Sequence, residues 1–461
     1  MNVIWIVADT FRQDHVGAYG NTDIRTPSLD ALAAKSVRFD RHYVASFPTM
    51  PARADHVTGR WTMSFMGWEP LPQGVDTLAQ LLRTAGVHTA AMVDTPFYLR
   101  GGMNYDIGYQ TFLASPGQAG DLRLVEGLHE ALDAREAWRY ESDRAVAQTM
   151  TNAMQWLQLH YKEDFFLYVD TWDPHEPWDA PSYYTELYMP DYDGELVQPV
   201  YGRWQDTPGY TQERVDKAHA AYCGEVTMVD AWIGHLLRTV ENMGLMERTA
   251  IIFTTDHGFY FGEHEGLFGK TSVAKRPDGT PYGRSDPDSG WGFSPLYEEV
   301  ALIPLLIYVP GAEPGAYSGL TSAVDVMPTV LDISGKEIPG WVDGNSLLPK
   351  VQERSAPGRD FAVTTMPFAN PGDSVHIVDN ARRNLYNAPV TTVTTSEWSL
   401  LYSVEEGLSE LYHLPTDPSQ KKNVIANNGE IAKSVHQYLV EFMRNTKLPE
   451  RLLKSRLELR I

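Results

Sequence analysis

Three aspartates stand at the ends of short apolar runs: Asp9 after Val7-Ala8, Asp170 after Tyr168-Val169, and Asp256 after Phe253-Thr254-Thr255. In an open parallel sheet, ligands bind outside the carboxyl ends of the strands, so these side chains would converge on one edge. Carboxylates gathered there repel one another unless a cation sits among them, and a divalent metal answers that need. Asp256 is followed at once by His257, so one strand end offers both an oxygen and a nitrogen ligand. Each aspartate taken singly would serve as well as a helix cap; the set of three is what points to a metal.

The elements that must position them follow from the hydrophobic pattern. Residues 3–8, 87–93, 165–169, 250–254 and 304–309 are apolar runs with little alternation, as in strands covered on both faces. Helical patterns lie between them. Thr26-Pro27 reads as a helix start, Asp76 as the cap of a helix that Gly86 ends, and residues 215–243 as one long helix closed by Gly244. The alternation predicts an α/β fold: a large, doubly wound, mainly parallel sheet flanked by helices. After about residue 350 the pattern changes. Residues 391–404 and 410–414 read as antiparallel strands, and an amphipathic helix carries Ile431, Val435, Leu439 and Phe442 on one face. The expected division is a catalytic α/β domain over residues 1–350 and a smaller α+β subdomain over 351–461. Residues 271–294 are rich in Gly, Pro, Asp and Ser, the composition of a functional lid or a disordered insertion.

The chain has 461 residues, with 38 Lys+Arg against 60 Asp+Glu, a net charge of −22. That field repels duplex nucleic acid and anionic membranes, neither of which gains by counterion release. A small anionic substrate would require positive charge held locally. No run reaches the ~18 apolar residues of a membrane span. The first eight residues lack a basic n-region and read as a strand, which makes a cytoplasmic protein the expectation. Cys223 is the single cysteine, so no intrachain disulfide forms; within a helical stretch it reads as a buried thiol. A homo-oligomer is compatible with the sequence, which does not specify one.

The motifs together resemble the sulfatase family of the alkaline phosphatase superfamily. Asp9 opens a segment running to Gly20 and then Thr26-Pro27-Ser28-Leu29-Asp30. Pro48-Thr49-Met50-Pro51-Ala52-Arg53, ending in Thr58-Gly59-Arg60, is similar to the signature Cys/Ser-x-Pro-x-Arg…Thr-Gly-Arg. Asp256-His257-Gly258, Gly262-Glu263-His264 and Gly269-Lys270 resemble the later Asp-Asn/His-Gly…Gly-Asp-His…Gly-Lys landmarks. Further landmarks at Tyr297-Glu298-Glu299, residues 324–329 and 343–347, and Glu410-Leu411-Tyr412 extend the likeness over nearly the whole chain.

The resemblance implies one divalent ion bound by Asp9, Asp256, His257 and the side chain of Thr49. Thr10 stands where the family carries a second aspartate, and His257 where Asn is commoner, which resembles the phosphonate monoester hydrolase branch. A mixed N/O ligand set suits Zn²⁺ or Mn²⁺ better than Ca²⁺, although one imidazole is compatible with Ca²⁺. Asp170 and His175 are spaced one residue wider than the pair that binuclear members use, so a second metal is not expected. Position 49 decides the chemistry. Sulfatases oxidise the Cys or Ser there to an aldehyde, and the β-methyl of Thr forbids that product. A Thr hydroxyl can still attack once a metal lowers its pKa. A phosphodiesterase or phosphonate monoesterase is therefore expected ahead of a sulfatase working without formylglycine, or an inactive binding member of the family. Arg53, four residues on, would share a helix face with Thr49 and brace both the nucleophile and an anionic oxygen. Lys270 would bind the transferred group or the leaving oxygen, and His175 would protonate that oxygen. Thr95 falls where sulfatases place a Lys-bearing segment, and His264 near a substrate histidine; both are expected on the substrate side.

Overall fold

Strand β1 (Asn2–Ala8) shows why the sheet is buried on both faces. Ile4, Ile6 and Ala8 point into one apolar cluster and Val3, Trp5 and Val7 into another, every one of them inaccessible to solvent. Such a strand has no wet face, which removes the alternation seen in half-exposed sheets. The computed structural model describes residues 1–95, 102–117, 138–271, 294–376, 382–384 and 389–461. The expected lid at 271–294 lies almost wholly outside these residues.

The central sheet has eight strands. They are β1, β2 (Val37–Phe39), β3 (His88–Val93), β4 (Thr111–Ala114), β5 (Phe165–Thr171), β6 (Thr249–Thr254), β7 (Leu305–Tyr308) and β8 (Gly315–Tyr317). Their order across the sheet is β8-β2-β7-β6-β1-β5-β3-β4. Pairing is parallel from β6 through β4, whereas β7 runs antiparallel to both β6 and β2. The α/β sheet is thus mainly parallel, as expected, with one reversed strand among those read from the sequence. Register brings the site together: Val7 lies beside both Asp170 and Thr254, and Val93 beside Asp170. Asp9 and Asp256 follow within two residues, so all three carboxylates reach one sheet edge.

Helices cover both faces. On one side lie α1 (Pro27–Ala33), α4 (Ala145–His160) and α5 (Gln212–Asn242). On the other are α2 (Thr49–Thr58) and α3 (Leu78–Thr84). One helix starts as expected and one does not. α1 begins at Pro27 with Thr26 at the cap position, although the Thr26 hydroxyl accepts from the Gly17 amide at 2.9 Å instead of from a helix amide. The cap of α3 is Thr77, not Asp76, because Thr77 and Gln80 form a reciprocal capping box that an aspartate one residue earlier cannot reach.

Beyond the central sheet, β9 (Ala362–Thr365), β10 (Thr391–Thr394), β11 (Trp398–Tyr402) and β12 (Glu410–His413) form an antiparallel sheet packed by α6 (Gly429–Asn445). The run 391–404 is two strands, since Thr395 turns the chain by bonding the Trp398 amide at 2.9 Å. No helix among the described residues is long and apolar enough to cross a membrane.

Two histidines outside the sheet-edge carboxylates make stability depend on pH. His42 and His56 are fully buried, and burial pushes each imidazolium down to about 3. The unfolded chain takes up these protons near 6.5 whereas the folded chain refuses them. Stability is therefore complete above that value and is lost as pH falls toward 3. Each histidine should cost roughly 2 kcal/mol at about pH 5. His42→Gln with His56→Gln should flatten the dependence of the urea midpoint between those limits; an unchanged slope would contradict the assignment.

Candidate active site

Helix α2 begins at Thr49, and all ten of its residues are buried. The nucleophile candidate is thus the first residue of a dry helix, where unpaired amides and the helix dipole favour negative charge. Its hydroxyl lies 3.2 Å from His257 Nε2. His257 Nδ1 donates to the Gly258 carbonyl at 2.9 Å, so Nε2 presents a lone pair toward Thr49. Burial, aided by Lys270, pushes the His257 imidazolium down to about 3, which keeps that lone pair available. Gly258 allows this geometry, because a Cβ there would stand 1.9 Å from the Glu299 carbonyl oxygen.

Asp9, Asp256 and His257 bring their ligand atoms within 4.8 Å of one another, and all three are buried. Among the described residues neither oxygen of Asp9 receives a well-aligned hydrogen bond, although Arg53 Nη1 stands 2.9 Å from Oδ2. Burial and the neighbouring Asp256 charge hold the Asp9 carboxyl well above the ordinary range, against the pull of Arg53 and Lys270. Asp256 is held below its ordinary range: burial opposes this, but the Arg53 and Lys270 charges and the neighbouring Asp9 carboxyl outweigh it. A fully buried carboxylate whose hydrogen bonding is left incomplete is costly, and a divalent cation relieves that cost. The donor set fits such an ion.

Arg53 is wholly buried among the acids. Nε and Nη2 each meet Asp170 at 2.8 Å, and Nη1 meets Asp256 at 2.6 Å and the Thr49 carbonyl at 3.3 Å. Burial works against its charge, yet Asp170, Asp256 and Asp9 together hold it protonated well above its ordinary value. The brace to Thr49 is present. The other bonds of Arg53 here run to the carboxylates of Asp170 and Asp256. Asp170 also accepts from Thr95 Oγ1 at 3.0 Å and from the Tyr168 hydroxyl at 2.9 Å. Thr95 therefore supports Asp170, where the sequence reading placed it on the substrate side.

Lys270 Nζ lies 2.6 Å from His175 Nε2. His175 Nδ1 donates to the Glu176 carbonyl at 2.7 Å, so Nε2 accepts from the lysine. Burial and Lys270 push the imidazolium well below its ordinary range. In this contact Lys270 is the donor and His175 Nε2 the acceptor. His264 is engaged elsewhere: Nε2 is 2.9 Å from Glu299 and its ring stacks on Tyr297 at 3.6 Å. The one-residue insertion at Glu265 leaves both residues in left-handed backbone, with φ of 50° and 64°. Thr10, also left-handed at φ 54°, aims its amide at Asp256 Oδ1 at 3.0 Å. This support was not visible in the sequence, where Thr10 registers only as a missing carboxylate.

A sulfatase family model matches residues 1–336, and a model for the N-sulphoglucosamine sulphohydrolase C-terminal region matches residues 293–446. The chain belongs to the sulfatase family, with the fold of the alkaline phosphatase superfamily, and is a hydrolase of that family. It is 25% identical to an arylsulfatase from Clostridium perfringens, over 95% of this chain and 92% of that protein. It is 27% identical to a multifunctional alkaline phosphatase superfamily protein from Trinickia caryophylli, over 76% of this chain and 77% of that one. Among solved structures, the phosphonate monoester hydrolase of Agrobacterium radiobacter superposes with a TM-score of 0.72 at 22% identity, covering 96% of both chains. That from Silicibacter pomeroyi gives 0.73 at 20% identity, covering 98% of this chain and 96% of that one.

Proposed function

We propose that this protein hydrolyses phosphate diesters or phosphonate monoesters, with Thr49 as nucleophile. The observation that carries the proposal is the Thr49 hydroxyl, 3.2 Å from a neutral imidazole at the start of a buried helix. Its β-methyl excludes the aldehyde route to sulfate release, and a phosphothreonine is an ester that water can cleave. The named phosphonate monoester hydrolases and the multifunctional relative support the phosphorus reading. Relatives named as arylsulfatase and choline-sulfatase favour a second reading, a sulfuric ester hydrolase without formylglycine. A cytoplasmic location is part of the proposal, in keeping with a chain whose single cysteine permits no internal disulfide.

Asp9, Asp256, His257 and Thr49 would hold one divalent ion, with Zn²⁺ or Mn²⁺ suited to the imidazole. Such an ion supplies a lowered hydroxyl pKa and polarisation of the phosphoryl oxygen. The residues do the rest. With its Nδ1 held by the Gly258 carbonyl, His257 would give its one lone pair, on Nε2, to the ion beside the Thr49 oxygen, and the helix N-terminus stabilises the alkoxide. Arg53 fixes the carboxylates against which both are set. The Lys270–His175 pair places a proton donor where the ester oxygen departs.

Assays of the metal-loaded enzyme on paired aryl phosphodiester, phosphonate and sulfate esters test the proposal. Phosphorus esters should be favoured, and a sulfate preference would overturn that choice. No rate above Thr49→Ala on any of them would leave only a binding protein. Lys270→Met should lower kcat/KM by roughly 10²–10⁴-fold on an alkyl ester and much less on a p-nitrophenyl ester, whose leaving group needs no proton. Equal losses on both would contradict proton donation by the pair.

A further inference from the structure

Beyond Asp9, the chain meets α5 at a second cluster that the reaction does not use. His219 and Cys223 are four residues apart on α5 and so rise from one face. His15 comes from the short turn Gln13–His15 that follows β1. Its Nε2 is 2.7 Å from His219 Nε2, and Cys223 Sγ is 3.7 Å from the same nitrogen. The three ligand atoms lie within 4.8 Å of one another. His15 and Cys223 are each 6% exposed, while His219 is partly open to solvent.

The surroundings turn the His15 lone pair inward, where the His219 Nε2–H donates to it in the metal-free site. His15 Nδ1 lies 2.8 Å from Asp14 Oδ1, and a carboxylate only accepts, so Nδ1 carries the proton and Nε2 of the neutral ring is bare. Asp14 is itself clasped by Arg12, through Nε at 2.8 Å and Nη2 at 2.6 Å. Arg12 is anchored in turn to Glu263 at 2.6 Å. A carboxylate fixing the far nitrogen of an imidazole is the arrangement that orients metal-bound histidines. A tetrahedral ion about 2.0–2.3 Å from two nitrogens and one sulfur needs ligand separations of roughly 3.3–3.6 Å. The rings would have to part by roughly half an ångström to admit it.

We propose that His15, His219 and Cys223 form a transition-metal site, distinct from the Asp9–Asp256–His257 cluster, that takes Zn²⁺. One thiolate with two imidazoles selects a borderline or soft cation over Mg²⁺ or Ca²⁺. The three protein ligands leave the fourth position to water. Binding replaces the Cys223 S–H bond by a sulfur–metal bond and the His219 Nε2–H bond by a nitrogen–metal bond; the thiol proton passes to solvent, and His219 keeps its proton on Nδ1 as the other tautomer. The site would tie the loop after β1, which leads from Asp9, to α5. Tyr222 already links the same elements, accepting from the Arg12 amide and donating to the Thr10 carbonyl, both at 2.9 Å.

Cobalt(II) titration of the reduced, metal-free full chain tests this directly. Because Cys223 is the only cysteine, a thiolate-to-cobalt charge-transfer band can arise from no other residue. The band should grow to one equivalent with the visible spectrum of four-coordinate cobalt, and Zn²⁺ should bleach it. It should persist in Asp256→Asn, where the catalytic cluster is disabled, and vanish in Cys223→Ser. Asp14→Asn should weaken cobalt affinity by roughly 10–100-fold. Absence of the band in folded wild-type protein, or its survival in Cys223→Ser, overturns the proposal. The wild-type spectrum decides the question even if a variant fails to fold.

Discussion

Thr49→Ala is expected to lower kcat by roughly 10⁴–10⁶-fold, as loss of a nucleophile does when binding and electrostatic stabilisation are left intact. The residue is fully buried, but it is small, and among the described residues its hydroxyl's hydrogen bond is to His257. The fold should therefore survive, and circular dichroism with an unchanged urea midpoint would show it. Thr49→Ser keeps the oxygen and should retain turnover, with a modest loss from the freer rotamer. A Thr49→Ala rate within tenfold of wild type would transfer the attack to water and remove threonine from the chemistry.

Arg53 carries the second large effect, and it falls on stability as much as on rate. Three carboxylates, Asp9, Asp170 and Asp256, are arranged around one guanidinium with no solvent access. Removing one partner of such a buried set leaves uncompensated charge and costs about 3–5 kcal/mol. Against a total stability of roughly 5–15 kcal/mol, Arg53→Leu should be unfolded or close to it in metal-free buffer. Arg53→Lys should not rescue, since one ammonium cannot replace the planar fork that serves Asp170 with two donors and Asp256 with a third. The double variant Arg53→Leu/Asp170→Leu should be more stable than the single one, and a double-mutant cycle measures that coupling. Wild-type stability in Arg53→Leu would show that the guanidinium is dispensable.

The parts of this site that lie on regular elements were legible in the sequence. Apolar runs before Asp9, Asp170 and Asp256 announce strands covered on both faces, and register then brings the carboxylates to one edge. The four-residue spacing of Thr49 and Arg53 is equally plain once the helix starts at Thr49. What did not show was which charge each donor would choose. Arg53 turns to carboxylates because three of them surround it, a fact of tertiary packing that spacing along one helix cannot contain. The partners of Thr95 and His264 were hidden for the same reason: Asp170 and Glu299 come from distant parts of the chain. The direction of the Lys270–His175 proton depends on a carbonyl at Glu176 that fixes the tautomer, a backbone detail with no side-chain signature.

Rapid acid quenching during turnover of an aryl phosphonate or phosphodiester, followed by mass analysis of the peptide carrying Thr49, tests the central claim most directly. A covalent phosphoryl or phosphonyl group on Thr49, formed in wild type and absent in Thr49→Ala, is the predicted result. Turnover with no adduct on that peptide under single-turnover sampling, or an adduct on another residue, would contradict it.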